Sequence, residues 1–183
     1  MNKLMQRFPE PVRNIACFII ILLCAHFFWK FTVLGDEGHT AVTFFGIDIT
    51  PPFDFMISQV ADSVYGLLQF FGIEAQQIGN RIRFPNGYGT SIIWGCAGIK
   101  QMYIFFCLIA FFKGSWKDKL WFIPAGFVVV HLFNIFRIFL ITVVIENHQE
   151  WFGFLHDFLF KYLFYFIIFM MWVIWNHFFV KKS

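Results

Sequence analysis

Charged residues are scarce in this sequence. They make up 14% of its 183 residues, whereas a soluble domain of this size needs roughly 25% to cover its surface. Most lysines and arginines flank apolar stretches instead of forming a basic stripe, which argues against a nucleic-acid partner. The scarcity of charge therefore excludes an ordinary soluble domain.

Cysteine is also sparse, and the four cysteines do not suggest a disulfide framework. Cys17 and Cys24 lie seven residues apart in one apolar stretch, which separates them by about 10 Å along a helix and exceeds the ~7 Å limit for bridging two Cα atoms. Cys107 lies inside another apolar stretch. Cys96 differs, because it stands in a glycine-containing junction just before a helix, and we expect it to be an unpaired thiol.

Two common hydrolase motifs are absent. The sequence contains no H-E-x-x-H, which would indicate a zinc protease, and no G-x-S-x-G, which surrounds a serine nucleophile. No other pattern requires a metal ion or a cofactor, and we predict neither.

Apolar and aromatic residues are abundant: 59% of the chain is hydrophobic and 23% is aromatic. Lipid-facing helices accept such residues, and about 20 apolar residues cross the ~30 Å hydrocarbon core of a bilayer. We predict an all-α polytopic membrane protein, a single domain over residues 1–183, with about four transmembrane helices. The predicted spans are residues 15–34, 97–112, 120–145 and 158–180. The first is longer than the core of a signal peptide and lacks a cleavage site, so we read it as an uncleaved span.

Residues 36–95 form the one sizeable polar region. Pro51 and Pro52 begin a segment in which polar residues recur at helical spacing, and this pattern predicts an interfacial helix. Whether residues 53–73 lie on the membrane or enter it stays open. Residues 78–84 and 88–94 flank Pro85-Asn86-Gly87, which predicts a short β-hairpin.

Orientation follows from the basic residues in the short flanks. The N-terminal segment, the 113–119 loop and the C-terminal lysine pair hold eight lysines and arginines, and such residues stay on the cytoplasmic side. We therefore predict a multi-pass protein of the cytoplasmic (inner) membrane with both termini in the cytoplasm. The 36–95 insert and the 146–157 loop then face the periplasm or exterior.

Three chemically capable residues are predicted to meet at this outer face. Cys96 lies at the outer end of the second span, and His156 precedes the fourth. Arg137 lies seventeen residues into the third span, about 26 Å from the cytoplasmic side at ~1.5 Å per residue. Asn134, one turn earlier, is a candidate substrate-binding residue. Each of the three also has a non-catalytic interpretation. Cys96 would be an inert packed thiol, Arg137 a contact to lipid headgroups, and His156 a solvated residue at a helix start.

Short motifs around these residues resemble the exosortase/archaeosortase family. Gly95-Cys96-Ala97-Gly98-Ile99 is similar to its C-[SA]-G-[IL] motif, Asn134 to Ile138 resemble N-x-x-R-[IL], and His156-Asp157 resembles the third motif. The resemblance covers residues 78–175, with a histidine that fits a compact bacterial exosortase-like member. It implies a membrane cysteine transpeptidase or peptidase acting on secreted proteins with a C-terminal sorting signal. Such a signal consists of a recognition motif, a transmembrane helix and a basic tail.

The residues themselves fit acyl transfer, with Cys96, Arg137 and His156 as the catalytic set. Cys96 supplies a thiolate near a helix N-terminus, aided by Lys100; His156 moves the proton; Arg137 holds an oxyanion or carboxylate. His131 and His148 are the alternatives for the histidine.

Two other functions stay open: a non-catalytic membrane assembly subunit and a small transporter. The sorting signal, the acceptor, the balance of transfer and hydrolysis and the oligomeric state are also open.

Overall fold

A computed structural model of the chain describes residues 9–36 and 41–180. Several basic residues used to predict the orientation, Lys3, Arg7, Lys181 and Lys182, lie outside these described residues.

Five α-helices form most of the molecule: α1 (Glu10–Thr32), α2 (Thr50–Phe70), α3 (Ile99–Phe111), α4 (Trp116–Asn147) and α5 (Phe160–Trp175). One-turn 3₁₀ helices precede α3 (Trp94–Cys96) and follow α4 (Gln149–Trp151). π-helical turns extend α5 at its start (Phe154–Leu159) and its end (Asn176–Val180). The predicted all-α membrane architecture is confirmed.

Among the described residues, three helices are long and apolar enough to cross a membrane: α1, α4 and the continuous helical segment Gln149–Val180. The second predicted span is shorter than expected. Helix α3 has thirteen residues, about 20 Å of helix against a hydrocarbon core of ~30 Å.

The helices pack around an aromatic core that includes Phe105, Phe164 and Trp175, all fully buried. Helices α3 and α4 approach closely at Gly126, where an added Cβ would lie 2.1 Å from the Phe105 ring. Because of this close approach, the start of α3 lies beside the middle of α4, where Gly98 meets Asn134.

The C-terminal end of α3 is capped by a buried lysine. The ammonium of Lys119 donates to the carbonyls of Ala110 at 2.8 Å and Phe112 at 2.7 Å. These carbonyls have no partner within the helix, and a cation offsets their negative partial charge. We call this the Lys119 end of the bundle, and the opposite one the Cys96 end.

Helix α2 and two small antiparallel sheets cover the Cys96 end. Phe53, Ile57, Val60, Val64 and Leu68 form the buried stripe of α2, and this stripe shares one core with Cys96 and Ile138. The helix is amphipathic, as its sequence predicts.

The first sheet consists of β1 (Val33–Leu34), β2 (Thr43–Phe44) and β3 (Ile47–Asp48), in that order. The second has the order β4 (Gln76–Ile78), β5 (Arg81–Arg83) and β6 (Gly89–Ser91). The predicted hairpin corresponds to β5 and β6, joined by a turn in which the Gly87 N–H donates to the Phe84 carbonyl at 3.0 Å. The first sheet and β4 were not predicted, because strands of two or three residues carry too little alternation to be recognised.

Candidate active site

Cys96 ends the 3₁₀ turn that precedes α3, and its side chain is buried, with 8% exposure. Its N–H donates to the Ile93 carbonyl at 2.8 Å. Its carbonyl accepts a hydrogen bond of 2.7 Å from the side-chain amide of Asn134. The main chain of the cysteine is therefore fixed from both its own turn and helix α4.

Gly98 makes the contact between α3 and Asn134 possible. It has a φ of +79°, in the left-handed region, and an added Cβ would lie 3.2 Å from the Asn134 side chain. A larger residue would be strained by its backbone conformation and would crowd the asparagine. The Cys-Ala-Gly sequence thus supplies both the thiol and the space that Asn134 needs.

One aspartate of α2 holds the turn that carries Cys96, and a second aspartate lies close to that turn. The Trp94 indole N–H donates to the Asp54 carboxylate of α2 at 2.7 Å. Asp36 accepts from the Trp29 indole at 2.9 Å, and its carbonyl oxygen would lie 3.3 Å from a Cβ added at Gly95. Neither aspartate was predicted as a site residue. Asp54 pairs with a residue forty positions away, and Asp36 lies in a loop that was not predicted.

Arg137 lies one turn beyond Asn134 on the buried face of α4, with 6% exposure. Its guanidinium lies over the Phe164 ring, 6.0 Å from the centroid. Among the described residues it makes no salt bridge, and neither its Nε nor the Oδ1 of Asn134 has a hydrogen-bond partner. A buried guanidinium without an acceptor is costly, so this site is suited to a ligand that brings an acceptor oxygen.

His156 lies in the π-helical turn that begins the last helical segment, and two neighbours orient its ring. Its Nδ1 lies 2.8 Å from the Asp157 carboxylate, and the ring stacks on Phe152 with centroids 5.2 Å apart. Since a carboxylate only accepts, Nδ1 carries the proton and Nε2 is the nitrogen left to exchange one. π-helical turns are rare in proteins overall, but they occur often at functional sites.

The thiol of Cys96 interacts with both His156 and Arg137. Burial raises the pKa of the Cys96 thiol, but the nearby His156 imidazole and the positive charge of Arg137 outweigh it and lower this pKa below its ordinary value. The main-chain hydrogen bond at Ile93 acts in the same direction. Lys100, which was expected to contribute, is not among the groups that lower the pKa.

The structure brings Cys96, Asn134, Arg137 and His156 into one cluster at the Cys96 end. The other residues considered from the sequence lie elsewhere. His131 is two turns along α4 from Arg137, with its Nδ1 buried, and His148 contacts Glu150 at 3.2 Å on the surface. Asp157 was missed as a site residue, although its place beside His156 in the sequence could have indicated it.

No three His, Cys, Asp or Glu side chains cluster as metal ligands in the part of the chain that the structure describes. The groups at the site are a thiol with a lowered pKa, an imidazole held by a carboxylate, and an arginine without an acceptor among the described residues.

Fold and site together define a helical membrane protein with a buried cysteine beside a histidine and an arginine at one end of its bundle. The sequence matches transmembrane exosortases over residues 9–173. The chain therefore belongs to the transmembrane exosortase family. Comparison with curated proteins and with solved structures finds no match.

Proposed function

We propose that this exosortase is a membrane-embedded cysteine peptidase or transpeptidase, with Cys96 as nucleophile, His156 as proton carrier and Arg137 as oxyanion stabiliser. The observation that carries the proposal is the placement of the buried Cys96 thiol beside the His156 imidazole and the buried Arg137 guanidinium, which has no salt bridge among the described residues. A buried thiol in an apolar setting is normally inert, whereas a thiolate favoured by nearby positive charge is nucleophilic.

In the first half-reaction, the Cys96 sulfur attacks a peptide carbonyl and its proton passes to Nε2 of His156. The carbonyl oxygen becomes an oxyanion, and Arg137, buried and always charged, stabilises that charge strongly because little water screens it. The carbon–nitrogen bond then breaks, and His156 gives its proton to the leaving amine. The product is a thioester between Cys96 and the new C-terminus of the substrate.

In the second half-reaction, His156 takes a proton from an incoming amine or from water, which attacks the thioester. An amine acceptor gives transfer, and water gives hydrolysis. The carbon–sulfur bond breaks, and His156 returns its proton to the leaving sulfur, which regenerates the Cys96 thiol. Asp157 supports both steps, because it holds Nδ1 protonated and so keeps Nε2 available.

The proposed substrates are secreted proteins with a C-terminal sorting signal, as membership of the family implies. Such a signal would place its transmembrane helix in the bilayer beside the bundle and its scissile bond at the Cys96 end. In this proposal the Cys96 end faces the periplasm or exterior of the inner membrane, and both termini are cytoplasmic. Asn134 helps to position the substrate indirectly, because it holds the Cys96 carbonyl.

The thioester itself can be detected. When the protein is co-produced with a secreted protein that carries such a signal, intact-mass analysis should find an adduct on Cys96 that neutral hydroxylamine removes. His156→Ala should lower the yield of the adduct, since thioester formation needs His156 to take the thiol proton and pass it to the leaving amine. Cys107→Ser, a change at a buried thiol in α3, is the matched control and should leave the adduct in place. An adduct that survives in Cys96→Ser would overturn the proposal.

A further inference from the structure

Strand β6 is an edge strand that leads directly to the nucleophile. The second sheet has the order β4-β5-β6, so among the described residues β6 pairs with a strand on one side only. Ser91, its last residue, precedes Cys96 by five positions. Helix α4 packs beside β6, and Thr90, whose hydroxyl oxygen is buried, faces inward. Gly89 and Ser91 are exposed.

The free main-chain groups of this edge can be identified from the ladder. The Phe84 N–H donates to the Tyr88 carbonyl and the Ile92 N–H donates to the Asn80 carbonyl, so the hydrogen-bonded pairs include Ile82 with Thr90. In an antiparallel ladder the intervening residues point their N–H and C=O groups away from the partner strand. Gly89 and Ser91 therefore direct these groups outward, and nothing within the described residues pairs with them.

Two arginines of β5 lie on the exposed face of the same sheet. Arg83 is opposite Gly89 and Arg81 is opposite Ser91. Neighbouring strands are about 4.8 Å apart, so a strand added beside β6 would lie about two such spacings from the two arginines, with only the small residues Gly89 and Ser91 between them on this face. Glu74 lines a surface cavity of about 640 Å³ together with Arg83, but neither arginine forms a salt bridge with a described residue.

We propose that the free edge of β6 docks the extended segment that precedes the scissile bond of the substrate. The added segment pairs parallel to β6, because β6 itself runs toward Cys96 and the substrate must reach the same sulfur before it enters the bilayer. Its main chain bonds to Gly89 and Ser91, and an acidic side chain meets Arg81 and Arg83. The identity of the partner rests on the proposed peptidase function; the edge and its charge do not.

Selection from a library tests this docking without requiring turnover. Short randomised peptides are selected for binding to Cys96→Ala protein in nanodiscs of zwitterionic phospholipid. The selected peptides should be rich in Asp or Glu. They should bind Ser91→Pro about tenfold more weakly, because proline removes the outward N–H, whereas Ser91→Ala keeps that N–H and should bind as before. Equal binding to both variants, or the absence of any binder, would overturn the proposal.

An N-methyl scan of the strongest peptide uses the protein with Ser91 unchanged and so does not depend on whether the proline variant folds. Methylation should weaken binding at every second residue, the period of a strand, and not at the residues between. Arg83→Gln should weaken binding of the acidic peptide and not of its Gln or Asn counterpart. A scan without this period, or an arginine effect seen only in nanodiscs of anionic lipid, would overturn the docking and point to a lipid contact.

The docking and the peptidase proposal can fail separately. Edge-binding peptides without any Cys96 adduct in the hydroxylamine experiment would leave the docking surface standing and remove the enzyme. A Cys96 adduct that forms equally well in Ser91→Pro and wild type would leave the enzyme standing and remove the docking.

Discussion

Asn134 shows how a single side chain connects the motifs of α3 and α4. Its amide holds the Cys96 carbonyl, and Gly98 leaves the space for it to do so. One turn further along α4, Arg137 lies close enough to Cys96 to lower the pKa of the thiol. At the residue scale, the two short motifs therefore form one unit because the same face of α4 positions the main chain of Cys96 and polarises its sulfur.

The pH dependence of thiol alkylation tests the role of Arg137. Its positive charge favours the thiolate and lowers the pKa of Cys96, so Arg137→Gln should raise that pKa and slow alkylation by iodoacetamide near neutral pH. At high pH, where the thiol is ionised in both proteins, the two rates should converge. The measurement is the rate against pH in a background with Cys17, Cys24 and Cys107 changed to Ser.

The control for this series is Arg83→Gln, which removes an exposed arginine from the second sheet. Its alkylation profile should match that of the parent protein. An unshifted profile in Arg137→Gln would show that the guanidinium does not act on the sulfur.

At the scale of elements, the start of α3 is the part that positions the nucleophile. Gly98 forms the left-handed junction between the 3₁₀ turn of Cys96 and α3, while hydrogen bonds from Trp94 and Asn134 fix the turn on either side. The short length of α3 follows from this arrangement, because residues 94–98 form the turn and the junction and the helix begins only at Ile99.

Gly98→Ala should destabilise the protein by roughly 1–2 kcal/mol from the left-handed backbone alone, with a further cost from the contact with Asn134. Gly66→Ala is the matched control. Gly66 lies within α2 with open space around it, so alanine there should stabilise by up to about 1 kcal/mol. Thermal unfolding in detergent measures both. If both substitutions changed the stability in the same direction, the assigned role of Gly98 would be contradicted.

The helices were easier to predict than the elements that cover the site. Long apolar stretches define α1 and α4, and counting residues along a helix is enough to predict that Arg137 and Cys96 lie at similar depth. The hydrogen bond from Trp94 to Asp54 joins residues forty positions apart, and no local pattern indicates such a pairing. The π-helical turn at His156 and the strands of two or three residues likewise depend on tertiary packing.

At the scale of the whole molecule, the covering layer of α2 and the two sheets lies at one end of the bundle and the loop around Lys117 at the other. Because the loop around Lys117 is basic and such loops stay in the cytoplasm, we predict that the covering layer lies on the outer side of the cytoplasmic membrane. In a variant with the native cysteines changed to Ser, Glu74→Cys should react on intact cells with a sulfonated maleimide that cannot cross membranes. Lys117→Cys should react only after the cells are opened. The reverse pattern would invert the predicted orientation.

The most direct test of the central claim, that the Cys96 thiol cleaves secreted proteins, is mass spectrometry of their C-termini. Proteins with a candidate sorting signal are compared in strains that carry the wild type, Cys96→Ser or Cys107→Ser. We expect a new C-terminus upstream of the transmembrane helix in wild type and Cys107→Ser, and an unprocessed tail in Cys96→Ser. The same processed terminus in all three strains would contradict it.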